Sequence, residues 1–253
     1  MATVITITLR KGGSGKTTTA VNLASSLAKH GKKVLLIDLD PQANATASLG
    51  IDTANIPNIA DVLQGKHPIE HVINDPVKGF DLIPSNQILA QIEATLANNS
   101  SQYANIVKDL IAPLLPKYDY ILIDTPPSES MLTITALVAS DYALIPTQAH
   151  YFAIHGLKQA LELIERVKEG YGATVEVLGI LPTMVQTGTN VAELFTDQIK
   201  SDYPDLLLPY PVPHSIKLTE SQLVHEPITD YDPQHPASIA YMQLAKHITK
   251  RGK

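Results

Sequence analysis

The sequence predicts an α/β fold, a mostly parallel twisted sheet with helices on both faces. Short apolar runs without polar alternation recur along the 253 residues, as in strands covered on both faces. Stretches with helical apolar spacing separate most of these runs, which implies parallel strands joined by crossover helices. A glycine-rich turn joins the first strand directly to the first helix.

Residues 4–9 mix Val4, Ile5, Ile7 and Leu9 with threonines, a strand composition. From Thr17, the apolar positions Ala20, Leu23, Ala24, Leu27 and Ala28 recur at helical spacing, and Gly31 stands where a helix end favours a left-handed residue. Residues 34–37 form the next strand, with Asp38 at its carboxyl end. Further strands are expected at 80–83, 120–123, 142–145, 175–181 and 206–208. Helices are expected at 87–96, 103–115, 131–139, 154–168, 191–201 and 239–249. Pro204, Pro209, Pro211 and Pro213 make 203–213 an extended, stiff loop. No internal repeat, low-complexity segment or linker divides the chain, so residues 1–253 are expected to form a single domain.

An apolar content of 44% is enough for one sizeable core. The absence of cysteine excludes a disulfide framework, a thiolate metal site and a cysteine-held iron–sulfur cluster. No run approaches the about 18 apolar residues of a membrane span. Residues 1–10 lack the basic head and apolar run of a signal peptide, so a cytoplasmic location is expected. The net charge of −6 argues against a uniformly basic nucleic-acid binder and leaves room for a local basic patch.

The strongest signal is Lys11, Gly12, Gly13, Ser14, Gly15, Lys16, Thr17, followed by Thr18, between a strand and a helix. Glycines let backbone N–H groups converge on phosphate oxygens, and the helix beginning near Thr17 points its positive dipole end at them. Lys16 would neutralise the β and γ phosphates, and the Thr17 hydroxyl would ligate Mg²⁺. Arg10 stands where the common GxxxxGK[ST] pattern has its first glycine, and a second lysine, Lys11, follows it. Asp38 and Asp124 both end apolar strands, which places two carboxylates near one Mg²⁺ and the γ phosphate, a geometry suited to phosphoryl transfer. Asp40 is a possible supporting residue.

KGGSGKT (11–17) resembles the deviant Walker A motif of the ParA/MinD ATPases, members of the P-loop NTPase fold. LLIDLDPQANAT (35–46), ILIDTPPS (121–128), IPTQAHYFAIHGL (145–157) and ITDYDPQHPASIAY (228–241) resemble further blocks of the ParA branch, so the likeness spans nearly the whole chain. It implies ATP and Mg²⁺ as cofactors, with Lys11 reaching across an ATP-dependent homodimer to the partner's nucleotide. It also implies that Asp38 orients the attacking water at the metal site, that Asp124 holds Mg²⁺ through a water, and that Met184 and Pro213 flank the base. Read without the likeness, Met184 is equally a core filler and Pro213 equally a loop stiffener.

The resemblance further implies nonspecific DNA binding by the ATP dimer, association with the nucleoid, and an adaptor of ParB or McdB kind that stimulates hydrolysis. Gly188 and Lys217 stand where relatives carry arginines, which puts carry-over of the family's DNA contacts in doubt; Lys217, Lys246, Lys250, Arg251 and Lys253 form either a replacement patch or a solvated basic C-terminus. Gly188 and the opening TLRKGGSGK are similar to carboxysome-positioning McdA proteins. Two other readings stay open: a MinD-like membrane switch using the last helix, and a metabolic ligase on the same scaffold.

Overall fold

The computed structural model describes residues 1–54, 56–98, 100–150, 153–186 and 188–251. Tyr151, Phe152, Thr187 and Lys253, each within a block considered above, lie outside the described residues, as does the Arg251 side chain. In chain order the elements begin with β1 (Thr3–Ile7), α1 (Lys16–Lys29), β2 (Val34–Asp38), α2 (Asn44–Ser48), α3 (Ile59–Leu63), β3 (Asn74–Val77) and β4 (Phe80–Ile83). Next come α4 (Leu89–Ala97), α5 (Ser100–Tyr103), α6 (Ile106–Ile111), β5 (Tyr120–Asp124), α7 (Met131–Val138), β6 (Tyr142–Gln148) and α8 (Ala153–Tyr171). The chain continues through β7 (Glu176–Thr183), α9 (Asn190–Asp202), α10 (Ile216–Leu223), α11 (Ile228–Tyr231) and α12 (Pro236–Arg251).

These strands form one sheet in the order β3-β4-β2-β5-β1-β6-β7. Every pairing among β4, β2, β5, β1, β6 and β7 is parallel, and β3 alone runs antiparallel, beside β4. Alternate strand residues serve opposite faces. Ile5, Leu36 and Leu122 pack with Leu23 and Leu27 of α1 and Tyr241 and Leu244 of α12. Val4, Leu35, Ile37, Ile121 and Ile123 pack with Ile59, Ile92, Ile111 and Leu132 on the other side. Leu157, Ile164, Phe195 and Ile199 close over Ile145 and Ile180 at the β6–β7 end. The same alternation puts Asp38 and Asp124, two residues beyond Leu36 and Leu122, on the side of the sheet that α1 covers.

The structure departs from the sequence expectation at defined points. β1 ends at Ile7, two residues short of the apolar run. Residues 206–208 do not form a strand; Leu207 makes an isolated bridge to Ile180, between the flanking Pro204 and Pro209, which lack the N–H a ladder needs. The expected helix at 103–115 is broken: α5 ends at Tyr103, α6 ends at Ile111, and a 3-10 turn carrying Pro113 follows at Ala112–Leu114. The elements α2, α3, α10, α11 and β3 were not anticipated. The β3–β4 hairpin turns through Lys78 (φ 50°) and Gly79 (φ 88°), the two positive φ values that a two-residue primed turn requires.

Candidate functional site

β1 delivers the loop at residues 8–15 to the carboxyl edge of the sheet, where α1 starts. Gly15 caps that helix in the left-handed region (φ 85°, ψ 22°), and Gly13 is also left-handed (φ 69°). A Cβ at Gly15 would lie 3.6 Å from the Thr183 side chain. Thr183 braces the loop from β7 by donating its hydroxyl to the Ser14 carbonyl at 2.8 Å. The first intrahelical bond runs from the Thr19 N–H to the Gly15 carbonyl at 2.8 Å. The amides of residues 16–18 therefore precede the helical ladder, the arrangement that receives an anion.

Gly12, Gly13, Ser14, Gly15, Lys16, Thr17 and Thr18 line a cleft of about 490 Å³, with Asp40 and Met184 on its walls. An adjoining cavity of about 230 Å³ runs on past Gly15 and Thr18 to Met184, Pro213, Leu218 and Tyr241. Met184 borders both spaces and is itself left-handed (φ 51°). Pro213 is held there by a bridge to Val185. Lys11 is placed differently. A Cβ on Gly156 of α8 would lie 3.9 Å from Lys11 Cβ, the Lys11 carbonyl accepts the Lys16 ammonium at 3.4 Å, and Lys11 does not line the cleft of its own chain.

Asp38 and Asp124 are direct neighbours across the β2–β5 pairing, and both are fully buried. Their surroundings differ. Asp38 Oδ2 accepts from the Thr46 amide at 2.9 Å and from the Thr46 hydroxyl at 2.7 Å, while Oδ1 accepts from the Asp40 amide at 3.2 Å. Burial pushes the Asp38 carboxyl up to about 6, against the pull of these donors. Both Asp124 oxygens lack a hydrogen-bond partner of ordinary geometry, as does the buried Ser14 hydroxyl. Burial, with the Asp38 charge second, pushes the Asp124 carboxyl well above the usual carboxylate range; Thr17 and Lys16 act in the opposite direction. The Lys16 ammonium is lowered by its own burial, while Asp124 and Asp40 hold its proton on.

Two buried carboxylate oxygens without a hydrogen bond of ordinary geometry, with a threonine hydroxyl and a lysine beside them, fit a hard divalent cation carried in with a polyphosphate. A bound cation would add positive charge against the Asp124 carboxylate beside that of Lys16. In that position Thr17 and Asp124 would hold Mg²⁺, and Lys16 and the α1 amides would hold phosphate oxygens.

Sequence reasoning missed one wall of the site. α10 contributes Thr219, Gln222 and Leu223 to the cleft, and Gln222 donates to the Thr18 hydroxyl at 3.1 Å. The available signal was Ser215, whose side chain caps α10 by accepting from the Lys217 amide. Thr46 and Thr183 were also missed as site residues.

Residues 2–177 match the family described as AAA domain. The chain is 37% identical to the sporulation initiation inhibitor protein Soj of Bacillus subtilis, covering 100% of both chains. It is 36% identical to the chromosome partitioning protein ParA of Myxococcus xanthus, covering 98% of this chain and 88% of that one. It is also 36% identical to the chromosome-partitioning ATPase Soj of Thermus thermophilus, covering 98% and 95%.

Among solved structures, it resembles cobyrinic acid a,c-diamide synthase from Mycobacterium smegmatis with bound ADP and magnesium (TM-score 0.86, 29% identity, 99% and 95% covered). It also resembles apo McdA of Cyanothece (TM-score 0.89, 25% identity, 98% and 100% covered). A third likeness is to the septum site-determining protein MinD of Pyrococcus horikoshii with Mg-ADP (TM-score 0.81, 25% identity, 99% and 97% covered). With a phosphate cradle, two adjoining strand-end aspartates and end-to-end likeness to partition proteins, the chain belongs to the ParA/Soj family of ATPases.

Proposed function

We propose that this chain is a switch ATPase that binds MgATP in the cleft and dimerises in that state. The ATP dimer binds nucleoid DNA without sequence preference and positions a cargo, and an adaptor of ParB or McdB kind ends each cycle by stimulating hydrolysis. The observation that supports this best is the placement of Lys11: beside the phosphate loop, next to the exposed Gly12 and Gly13, and outside the cleft of its own chain. A lysine so placed is positioned to serve a second copy's triphosphate, whose charge would otherwise repel its counterpart across the contact.

The remaining roles follow from the surroundings of each group. Lys16 and the α1 N-terminus take the β and γ phosphates, and Thr17 and Asp124 take Mg²⁺. Met184 and Pro213 border the cavity beyond the loop, which suits the base. Asp38 has three donors already on its carboxylate, so it is better fitted to orient water than to ligate a metal.

A membrane switch through the last helix is less well supported. Tyr241, Leu244, Ala245 and Ile248 of α12 are buried, and no helix among the described residues is long and apolar enough to cross a membrane. The likeness to a diamide synthase keeps a ligase reading in view. Hydrolysis that proceeds without any small-molecule co-substrate separates the two.

The decisive experiment measures mass in solution by light scattering, with and without a nonhydrolysed ATP analogue and Mg²⁺. The wild-type protein should double in mass with the analogue. Lys11→Ala should bind nucleotide with affinity within about threefold of wild type, a change under roughly 1 kcal/mol, and stay monomeric. Wild-type protein that remains a monomer when saturated with nucleotide overturns the proposal.

A further inference from the structure

The carboxylate assigned above to the attacking water does not stand alone. Thr46 lies in the first turns of α2, eight residues beyond Asp38, and is buried at 1% exposure. The chain must double back within those eight residues, and it does so through Ala43, which is left-handed (φ 52°, ψ 36°) although it carries a Cβ. That conformation is disfavoured for a residue with a Cβ that has no local side-chain hydrogen bond to offset it. The strain is compensated by what the turn achieves: both the Thr46 amide and the Thr46 hydroxyl meet Asp38 Oδ2.

The hydroxyl has one proton, and its direction is settled by a third group. The Ser85 amide donates to Thr46 Oγ1 at 3.0 Å. An amide can only donate there, so the Thr46 proton is free to point at Asp38. Ser85 is in turn pinned by donating its own hydroxyl to the Asp40 carbonyl at 2.8 Å. Ser85 follows β4 and Asp38 ends β2, so the ends of two paired strands are joined through Thr46. Two donors occupy Oδ2, whereas Oδ1 has only the Asp40 amide, at 3.2 Å. Oδ1 is the oxygen with acceptor capacity to spare.

We propose that Thr46, fixed by the Ser85 amide, is a positioning residue that saturates Asp38 Oδ2 and thereby leaves Oδ1 as the oxygen that receives the attacking water. This rests on the reading of Asp38 as the water-orienting group, and the experiment separates the two claims. Steady-state ATP hydrolysis is measured for Thr46→Val, Thr46→Ser, Asp38→Ala and the Asp38→Ala/Thr46→Val double variant. Each is measured beside its affinity for a fluorescent ADP and its melting temperature.

Thr46→Val keeps the shape and removes the donor to a charged acceptor, so kcat should fall on the order of 10- to 100-fold. KM and ADP affinity should stay within about twofold, since the side chain does not line the cleft. Thr46→Ser restores the hydroxyl and should recover kcat to within about threefold of wild type. In the Asp38→Ala background, Thr46→Val should change nothing further, because the group it orients is gone.

An unchanged kcat in Thr46→Val overturns the positioning role. So does a parallel loss of kcat and ADP affinity, or a failure of serine to rescue. If Asp38→Ala hydrolyses ATP at the wild-type rate, the reading of Asp38 fails instead. Should Thr46→Val not fold, Thr46→Cys, with a weakly donating thiol of similar size, takes its place under the same criteria.

Discussion

Asp38 and Asp124 end adjacent strands at the same level of the sheet, yet one is met by three donors and the other by none of ordinary geometry. Their presence was legible in the sequence, because each stands at the carboxyl end of an apolar run. Their difference was not, because two of the three donors to Asp38 come from a threonine brought round by a left-handed alanine, which no spacing rule announces. The difference has a measurable consequence. The Asp124 carboxyl is raised by burial, so the stability it contributes is present below its ordinary value and is lost as pH rises through the raised one. At pH 7.5 the nucleotide-free protein therefore carries a cost that Asp124→Asn removes. The variant should melt higher than wild type, by roughly 2–4 °C for each kcal/mol recovered in a chain of this length. The gain should shrink as pH falls toward the ordinary carboxylate range, where the cost of burying the charge disappears. The same variant should lose the gain in nucleotide affinity that Mg²⁺ brings. A variant that melts lower at pH 7.5, or that keeps the Mg²⁺ effect, would contradict the assignment of this carboxylate to the cation.

Among the elements, the parallel strands were legible because burial on both faces leaves runs such as VLLID and YILID with no polar alternation. α10 was not. Its Ile216 and Leu223, seven residues apart, are 72% and 75% exposed, so its apolar residues do not mark the face it buries, and it is anchored by polar contacts such as Gln222 to Thr18 and Glu220 to Tyr231. The 206–208 run misled for the opposite reason. Its apolar residues are needed to close the β7 edge of the sheet, but a single bridge and the packing of Leu208 accomplish this without a strand. Gly179 makes that packing possible: a Cβ there would lie 2.6 Å from Leu208 Cγ and 2.9 Å from both of its methyl carbons. All three atoms belong to one buried side chain, and turning its outer torsion leaves Cγ in place, so relief requires moving the whole side chain. Gly179→Ala should therefore destabilise the fold by about 1–3 kcal/mol, as read by urea denaturation. Adding Leu208→Ala should recover part of that loss, because the second change opens the space that the first one fills. Equal stability of wild type and Gly179→Ala would show that the edge yields freely.

For the molecule as a whole, the net charge of −6 means that attraction to a polyanion must come from a local surface. Of the basic residues expected to form it, Lys217 is already engaged, 3.8 Å from Asp232 and over the Tyr231 ring at 5.4 Å. Lys246 and Lys250 are exposed on α12, four residues and so about one turn apart, which puts both on one side of the helix. Among the described side chains of that patch, a pair of lysines on one copy is too few for firm phosphate binding, and a dimer doubles the number. On the function proposed above, with both α12 helices on the same duplex, duplex binding would be tied to the nucleotide through charge count. Affinity for a random-sequence duplex should then appear with the nonhydrolysed ATP analogue and fall steeply with salt. Lys246→Ala with Lys250→Ala removes two charges per copy, so the slope of log affinity against log salt should become shallower by up to about 3–4 in the dimer. Lys217→Ala should change the slope little, because its charge is already held by Asp232. A slope that the double variant leaves untouched while Lys217→Ala reduces it would move the DNA surface from the end of α12 to the start of α10, beside the nucleotide cleft. The coupling between nucleotide and DNA would then be direct contact with the site rather than the doubling of charge.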